Sequence, residues 1–370
     1  MIIGVPKEIK LQEHRIGLTP DSVKTLHEKG HKILIETNGG FEAGFTDKDY
    51  QKAGALIYTS AADIFKDAEI IVKVKEPQMS EVKMIREGQI IYTYLHLAAA
   101  KELTKGLMDS KSICIAYETV TDDKGRLPLL APMSAVAGRM SIQAGAHSLE
   151  KNQKGRGLLL GGAPGVEPAN IVILGGGVVG ENAAIIATGM KGKVYVIDKS
   201  KERLRELHEM FGDKIIPTES NQADLKKLVS ECDLLVGGVL IPGAEAPKLV
   251  TKEMIKSMKR GAVVVDVAID QGGCIETSKP TTHANPTYMV DEVVHYCVAN
   301  MPGGVPRTST MALNKATLPL LLKLADQGYK KTLKENKNYL AGLNVYRGEI
   351  THKGVSDAFN LKYTPALELL

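Results

Sequence analysis

The sequence is poor in cysteine, in blocks of like charge and in long apolar runs, and each shortage excludes a class of protein. Its 370 residues include four cysteines, Cys114, Cys232, Cys274 and Cys297, and their spacing is not that of a metal site. Cysteines without such a pattern are typical of a reducing cytosol. We therefore expect a cytoplasmic protein.

The charged residues are nearly balanced, with 47 lysines and arginines against 43 aspartates and glutamates, a net charge of +4. Because the two signs are interspersed, the sequence has no basic stripe and predicts no nucleic-acid partner. No apolar run is long enough to cross a membrane, and residues 1–20 resemble folded protein rather than a signal peptide. We therefore expect a soluble, intracellular protein without a membrane partner.

The length and composition suit a globular protein of two domains, with 44% hydrophobic and 24% charged residues. In the first part of the chain, short apolar runs alternate with helical patterns, which predicts a parallel sheet covered by helices. The strands predicted there are Ile2–Val5, Lys32–Glu36, Glu69–Lys75, Gln89–Leu95 and Ser112–Tyr117. The expected fold class is therefore α/β.

The stretch from Ile171 to Asp198 has the pattern of a dinucleotide-binding fingerprint. A short apolar strand runs into Gly175, Gly177 and Gly180, spaced G-x-G-x-x-G, and a second strand ends at an acidic residue about 20 positions later. Gly175 permits the tight turn, Gly177 lets a pyrophosphate approach the backbone, and Gly180 permits close helix–strand contact. A glycine-rich turn is the alternative, but the complete strand–helix–strand pattern favours a doubly wound Rossmann domain.

Asp198 predicts which dinucleotide binds. Its carboxylate can accept hydrogen bonds from both hydroxyls of an adenosine ribose, and its negative charge would repel a 2′-phosphate. The N–H groups and the positive dipole end of the preceding helix would hold the pyrophosphate. The predicted cofactor is therefore NAD rather than NADP.

Four further strands are predicted after Asp198, which brings this part of the chain to the six strands of the doubly wound fold. They are Lys214–Ile216, Asp233–Val239, Ala262–Val267 and Tyr296–Ala299. From Val305 a long helical stretch precedes a short polar tail without a sheet of its own, so we expect this part to fold back on the N-terminal domain. The predicted division is a Rossmann NAD-binding domain at 131–304 and a discontinuous α/β catalytic (substrate) domain at 1–130 plus 305–370.

Four polar residues stand where predicted strands end, and ligands of open α/β sheets bind outside the carboxyl ends of strands. These residues are Lys75, His96, Asp198 and Asp270. A histidine there could transfer protons near neutral pH, since its ordinary pKa is about 6.5. Lys75 could hold a carboxylate or polarise a carbonyl group, and Asp270 could accept a proton or orient water.

Each candidate also has a purely structural interpretation. Lys73 and Lys75 alternate with valines, as solvent-facing residues of a half-buried strand do. His96 could be a hydrogen-bonded structural histidine, and Asp270 could be a turn residue shortly before two glycines. Arg15, in the polar run LQEHRIGLTP, could be a solvated loop charge. From residue types and strand positions alone, both interpretations stay open.

Six stretches spread along the chain carry a family resemblance. They are VPKEIKLQEHRIGLTP, KVKEP, TYLHLA, LLGGAPGVEPANIVILGGGVVGENAA, DVAIDQGGCIETSKPTTH and VANMPGGVPRTST. Together they resemble the NAD-dependent alanine dehydrogenases, over essentially the whole chain. The resemblance implies reversible oxidative deamination of L-alanine to pyruvate and ammonia (ammonium at neutral pH), with NAD as hydride acceptor, by a homo-hexamer.

The resemblance also implies roles for individual residues. Arg15 and Lys75 would bind the carboxylate and carbonyl groups of pyruvate or alanine, and His96 and Asp270 would be the acid–base pair. The residues expected around NAD are Ser134, Gly175, Gly177, Val178, Val179, Gly180, Asp198, Arg203, Ser220, Val239, Leu240, Ile269, Asp270, Val298, Asn300 and Met301. In this family the N-terminal catalytic domain is completed by the C-terminus, in agreement with the division predicted above.

The chain departs from the family pattern at two places. Lys279 stands where some members have an arginine near the cofactor, and Gln327 stands where a histidine pairs with a glutamate, here Glu118, at a magnesium site. We therefore predict no bound metal. Two alternatives to the dehydrogenase are the NAD-binding part of a proton-translocating transhydrogenase and a catalytically silent NAD-binding regulator. The polar residues at the strand ends, together with Arg15, favour an enzyme with an amino-acid pocket.

Overall fold

The structure, a computed structural model, describes residues 1–239 and 246–370, and the chain forms two compact units. The first unit comprises Met1–Pro132 and Val305–Leu370, and the second comprises Met133–Gly304. Each unit is built on a largely parallel sheet. The α/β class predicted from the alternation of strands and helices is therefore confirmed. Within the described residues, no helix has the length and apolar character needed to span a membrane.

The elements follow one another in three runs along the chain. The first run contains β1 (Ile2–Val5), α1 (Pro20–Glu28), β2 (Lys32–Glu36), α2 (Asp47–Lys52), β3 (Leu56–Tyr58), α3 (Ala61–Asp67), β4 (Ile70–Val72), α4 (Met79–Val82), β5 (Ile90–Thr93), α5 (Lys101–Asp109) and β6 (Ile113–Ala116). The second contains α6 (Ala131–Ser148), β7 (Asn170–Leu174), α7 (Val178–Gly189), β8 (Lys193–Asp198), α8 (Lys201–Phe211), β9 (Ile215–Glu219), α9 (Gln222–Glu231), β10 (Leu234–Gly237), α10 (Lys252–Lys256), β11 (Val263–Asp266), β12 (Thr287–Val290) and β13 (Val293–Tyr296). The third contains α11 (Pro306–Gln327), α12 (Tyr329–Glu335), α13 (Lys337–Leu340), β14 (Leu343–Tyr346), β15 (Glu349–Ile350), α14 (Lys353–Phe359) and α15 (Ala366–Leu369).

The sheet of the first unit has the strand order β15-β14-β6-β5-β4-β1-β2-β3. Strands β1 to β6 are parallel and follow the order 3-2-1-4-5-6 of doubly wound folds. From the last part of the chain, β14 pairs antiparallel with β6, and β15 pairs antiparallel with β14. The polar tail therefore extends this sheet by two strands that the sequence pattern does not predict.

The sheet of the second unit has the order β12-β13-β11-β10-β7-β8-β9, and its parallel part, β7 to β11 with β13, follows the same 3-2-1-4-5-6 order. β12 and β13 form a hairpin whose turn residues Asp291 and Glu292 have φ angles of 46° and 62°, as a tight two-residue turn of this hand requires. The prediction of a last strand at Tyr296–Ala299 is wrong. Val293–Tyr296 forms the strand instead, because it pairs with β12 on one side and β11 on the other.

Apolar side chains cover both faces of the second sheet. Along β7, Ile171 and Ile173 belong to one buried cluster, and Val172 and Leu174 belong to the other. Successive side chains of a strand point to opposite faces, so a strand without polar positions must be buried on both sides. This explains why the sequence shows an unbroken apolar run at this strand rather than alternation.

Helix α6 packs closely within the second unit because it is rich in small residues. A Cβ at Gly138 would lie 2.2 Å from the carbonyl oxygen of Val179, and a Cβ at Gly145 would lie 2.6 Å from the side chain of Leu234. Any larger residue would have to displace the backbone of α7 or a core side chain of β10. The glycines of α6 therefore permit a close approach to α7 and β10.

The buried ring of His295 on β13 is arranged for a neutral histidine. Its Nδ1 donates to the carbonyl oxygen of Val293 at 3.1 Å, and its Nε2 accepts from the hydroxyl of Thr277 at 2.8 Å. Burial lowers the pKa of His295 below its ordinary value, because the charged ring would lose its hydration. Folding therefore selects the uncharged form.

The free energy of unfolding should accordingly fall as the pH drops below about 6.5, the ordinary pKa of histidine. In that window the unfolded chain binds a proton that the folded chain does not, so acid favours unfolding. His295→Gln should make the melting temperature less sensitive to pH between about 7.5 and 5.5, measured by circular dichroism. The matched variant His208→Gln, at an exposed histidine, should keep the wild-type slope. An unchanged slope in His295→Gln would contradict the assignment.

Candidate active site

The fingerprint glycines form the turn between β7 and α7. Gly175 has a φ angle of +92°, and a Cβ at Gly180 would lie 1.8 Å from the carbonyl oxygen of Gly175, so both positions require glycine. Gly177 precedes α7, and no described side chain caps the start of this helix. A Cβ at Gly177 would meet no atom of the described residues within 4 Å. The open backbone and the N–H groups at the start of α7 fit a pyrophosphate.

Asp198, the last residue of β8, lies against the glycine loop. Its carboxylate accepts the N–H of Gly176 at 2.6 Å. Arg203 donates from Nε to the carbonyl oxygen of Gly176 at 2.7 Å and forms ion pairs with Glu181 and Glu206. The Arg203 guanidinium beside the glycine loop is therefore already balanced by two carboxylates.

The remaining cofactor candidates of this part of the chain differ in accessibility. Ser220 follows β9 and donates its N–H to the carbonyl oxygen of Asp198 at 3.0 Å. Val239 approaches the glycine loop, because a Cβ at Gly175 would lie 3.2 Å from its side chain; Leu240 lies outside the described residues. Two candidates are at least partly exposed in the first turns of helices, Val178 and Ser134. Four have side chains buried in the core, Val179, Ile269, Val298 and Met301.

Asp270 lies in a short 3₁₀ helix, Val267–Gln271, that follows β11 directly. The residue is exposed, and its carboxylate accepts the N–H of Asn300 at 3.2 Å. Asn300 has a left-handed φ angle of 62°, which asparagine tolerates better than most residues. Two residues expected around NAD, 30 positions apart in sequence, are therefore brought together beyond the carboxyl end of β11.

Asp266 holds the loop that carries Asp270, and the sequence analysis did not single it out. It is fully buried at the end of β11, and its carboxylate accepts the N–H groups of Ala268 at 3.1 Å, Cys274 at 3.4 Å and Ile275 at 3.3 Å. Burial raises the pKa of Asp266, although hydrogen bonds from Ser278, Cys274 and Ile275 oppose the shift. The signal in the sequence is the one acidic residue that ends the apolar run VVVD.

Arg15, Lys75 and His96 lie in segments that follow the carboxyl ends of three strands of the first sheet. They follow β1, β4 and β5, which are neighbouring strands of that sheet. Neighbouring residues at the end of β5 contact two of them. The hydroxyl of Thr93 donates to the carbonyl oxygen of Lys75 at 2.9 Å, and the ring of Tyr94 stacks with that of His96, with 5.9 Å between the ring centroids. The structure therefore gathers three of the sequence-predicted residues in the first unit.

Arg15 is buried, with 2% of its surface exposed, so its interpretation as a solvated loop charge is wrong. Its Nε and Nη2 both donate to the carboxylate of Glu13 at 2.6 Å, in a two-pronged ion pair. Burial disfavours the charged guanidinium, but Glu13 outweighs that effect and raises the pKa of Arg15. Glu13 is a further residue that the sequence analysis did not identify, because a glutamate two positions away in a polar run carries no distinctive pattern.

Lys73 and Lys75 have different environments, and the alternative interpretation that both face solvent is wrong for Lys73. Strand β4 ends at Val72, so the alternation of the strand does not continue through these lysines. Lys73 is fully buried and its Nζ lies 2.9 Å from the carboxylates of both Glu8 and Glu81. Lys75 is half-buried, and its N–H donates to Glu8 at 3.3 Å.

His96 lies three residues beyond the end of β5 and has a left-handed φ angle of 50°. Its N–H donates to Glu118 at 2.6 Å, and the N–H of Leu95 donates to the same carboxylate at 3.1 Å. The imidazole is 49% exposed, which is far from the environment of a buried structural histidine. Glu118 thus fixes the backbone of His96.

Within the described residues, no group of three or more His, Cys, Asp or Glu side chains is arranged to hold a metal ion.

Comparison with known proteins covers both units. The family model for the N-terminal domain of alanine dehydrogenase/PNT matches residues 4–137, and the model for its C-terminal domain matches residues 141–353. The chain is 55% identical to the alanine dehydrogenase of Halomonas elongata over 370 residues and 54% identical to that of Methanococcus maripaludis over 371 residues, with 100% of each chain covered.

Solved structures agree with these sequence matches. An L-alanine dehydrogenase structure, 52% identical, superposes with a TM-score of 0.94 and covers 97% of this chain and 99% of its own. A transhydrogenase from Sinorhizobium meliloti, 24% identical, superposes with a TM-score of 0.83 over 95% of this chain and 100% of its own, which shows a shared fold alone. The chain therefore belongs to the alanine dehydrogenase/PNT family.

Proposed function

We propose that this protein catalyses the reversible oxidative deamination of L-alanine to pyruvate and ammonia, with NAD as hydride acceptor. The main supporting observation is that Arg15, Lys75 and His96 all follow the carboxyl ends of neighbouring strands of the first sheet. The relatives named alanine dehydrogenases share more than half of their residues with this chain over its full length. The transhydrogenase likeness extends only to the fold, so we do not favour that alternative.

In this proposal Arg15 and Lys75 bind the carboxylate and the carbonyl group of pyruvate, or the carboxylate of alanine. A guanidinium presents its donors in a fixed plane that matches a carboxylate. Glu13 holds one side of the Arg15 guanidinium, so the group has one orientation before substrate arrives. The ion pair also keeps Arg15 charged despite its burial. A charged, pre-oriented donor reduces the ordering that binding would otherwise require.

His96 and Asp270 transfer the protons. The ammonium of alanine must first lose a proton, because only a neutral amine can support the departure of a hydride from Cα. The glycine loop would hold NAD, which would supply the hydride acceptor for this step. Water then adds to the iminium carbon and gives its proton to His96 or Asp270, and the resulting carbinolamine collapses to pyruvate and ammonia. The exposed imidazole and the exposed carboxylate are both accessible for such transfers.

The finer assignments are part of the same proposal. Residues 1–130 plus 305–370 bind the substrate, and residues 131–304 bind NAD. The enzyme works in the cytoplasm as a homo-hexamer, in line with the family resemblance. Light scattering at assay concentration should then give about six times the chain mass of 39.9 kDa; a mass of one or two chains would contradict the hexamer.

Cofactor preference follows from Asp198. The carboxylate beside the glycine loop would accept a ribose hydroxyl and repel a 2′-phosphate, and Arg203 is already balanced by Glu181 and Glu206. A hydrogen bond to a charged group is worth about 1.5–3 kcal/mol. Asp198→Ala should therefore reduce the preference for NAD over NADP by about 10- to 100-fold, measured as the ratio of the two kcat/KM values. Asp213→Ala, at an exposed aspartate, is the control. Comparable kcat/KM values for both cofactors in the wild type would refute the role of Asp198.

The acid–base roles predict a loss of turnover without a loss of cofactor binding. His96→Ala should lower kcat by about 10²-fold or more, the usual contribution of a general acid–base group. Asp270→Asn should behave likewise, since an amide can still accept the N–H of Asn300 but cannot take a proton. NADH fluorescence titration should give wild-type affinity for His96→Ala, and Asp270→Asn should still bind NADH. The surface control His208→Ala should be fully active. Near-wild-type kcat in either variant would remove that residue from the mechanism.

The protonation steps also predict different pH optima for the two directions. Deamination should be fastest at clearly alkaline pH, because alanine must be deprotonated, whereas amination of pyruvate consumes ammonium and should peak at lower pH. Initial rates in both directions at saturating substrate test this. A panel with leucine and glutamate should show much slower turnover than alanine, because a pocket matched to the proposed substrate would accommodate a side chain of one methyl group. Coincident optima would refute the protonation argument, and preference for a large or acidic amino acid would refute the substrate.

A further inference from the structure

A buried ionic cluster, Glu8, Lys73 and Glu81, lies behind Lys75 in the first unit; we call it the Lys73 cluster. The ammonium of Lys73 is 2.9 Å from a carboxylate oxygen of each glutamate. All three side chains are almost completely buried. Burial disfavours the charged form of Lys73, but the two carboxylates outweigh it and raise its pKa, so the ammonium stays charged.

Burying such a cluster is unfavourable in free energy compared with apolar packing. Taking ions out of water costs several kcal/mol per ion, and well-packed apolar residues of similar volume often stabilise a fold equally well. The ion pairs alone therefore do not account for the cluster. The hydrogen bonds of the two carboxylate oxygens that do not contact Lys73, here called the outer oxygens, give a better explanation.

The outer oxygens accept hydrogen bonds from the backbone around Lys75. The second oxygen of Glu8 accepts the N–H of Val74 at 2.6 Å and the N–H of Lys75 at 3.3 Å. The second oxygen of Glu81 accepts the N–H of Gln78 at 2.7 Å, three residues beyond. The ammonium of Lys73 thus pairs with two carboxylates. These carboxylates accept hydrogen bonds from the loop on both sides of Lys75, the residue that we assign to the substrate.

The carbonyl side of the same residues is fixed as well. The hydroxyl of Tyr117 donates to the carbonyl oxygen of Lys73 at 3.1 Å, and the hydroxyl of Thr93 donates to that of Lys75 at 2.9 Å. A lysine side chain is long and flexible, so its aim depends on where its Cα is held. Hydrogen bonds on both sides of Lys75 supply that constraint.

The geometry points to Glu8, Lys73 and Glu81 as positioning residues that hold Lys75 in place for the substrate. This inference rests on the proposed role of Lys75 in binding pyruvate or alanine. Glu8 also interacts electrostatically with Arg15 and Glu13. The Lys73 cluster therefore connects both of the cations assigned to the substrate.

The test compares KM for alanine and pyruvate with the dissociation constant for NADH in full-length variants. Glu8→Met removes the acceptor for the two N–H groups while keeping the side-chain length, and Lys73→Met removes the ammonium. Glu8→Gln keeps an acceptor oxygen and is the conservative variant. Asp233→Asn is the matched control, because Asp233 is a buried carboxylate that pairs with Arg156 and Lys259 in the second unit.

Glu8→Met and Lys73→Met should raise both KM values by about tenfold or more, as expected for the loss of charged hydrogen bonds. The KM values of Glu8→Gln should lie between those of Glu8→Met and the wild type, about threefold or more above the wild type. All variants should bind NADH as the wild type does. Asp233→Asn should lower the melting temperature but keep both KM values. This split would not arise from a merely structural role.

Two outcomes overturn the inference in distinguishable ways. If Lys75→Met raises KM while the cluster variants stay within twofold of the wild type, the cluster does not position Lys75, and the role of Lys75 stands. If Lys75→Met itself leaves both KM values unchanged, the assignment of Lys75 fails and the inference fails with it. Where the methionine variants do not fold, the comparison of Glu8→Gln with Asp233→Asn decides: equal KM values within twofold of the wild type overturn the inference.

Discussion

Hydrogen bonds from backbone N–H groups to buried or partly buried carboxylates are the interaction on which the proposed site residues of each unit depend. Glu8, Glu118 and Asp266 each accept at least two N–H groups from a loop that carries a proposed substrate-binding or proton-transferring residue. A desolvated carboxylate needs donors, and the N–H groups of an irregular loop need acceptors, so each satisfies the other. Loops without regular secondary structure thereby become rigid supports for chemistry.

The sheets decide where such carboxylates can lie. Parallel strands covered on both faces leave room mainly for apolar side chains along their length, as the two clusters on either face of β7 show. Charged residues are therefore displaced to the strand ends, where loops of several neighbouring strands meet. In the first unit β1, β4 and β5 are such neighbours, and their loops carry the cations and the imidazole assigned to the substrate.

Residues with local requirements are predictable from the sequence, and residues with distant partners are not. The fingerprint could be identified because each glycine answers a condition set within a few residues, such as the 1.8 Å approach at Gly180. Lys73 could not be placed, because local alternation with valines indicates exposure, whereas its partner Glu8 is 65 positions away. The pairing of β14 with β6 has the same cause. For the proposed site, sequence patterns thus indicated the reactive side chains but missed the carboxylates that hold them.

The late strand β14 also determines the order in which the molecule can be completed on the ribosome. The entire second unit, which ends at Gly304, is synthesised before Leu343–Tyr346 emerges to pair with β6. Domains tend to fold as they emerge, yet here the N-terminal unit is the one that must wait. Until then β6 presents an unpaired edge, a known template for aggregation. A nascent chain that stalls before residue 343 would combine a finished second unit with an unprotected sheet, and chaperones would have to shield that edge for as long as the pause lasts.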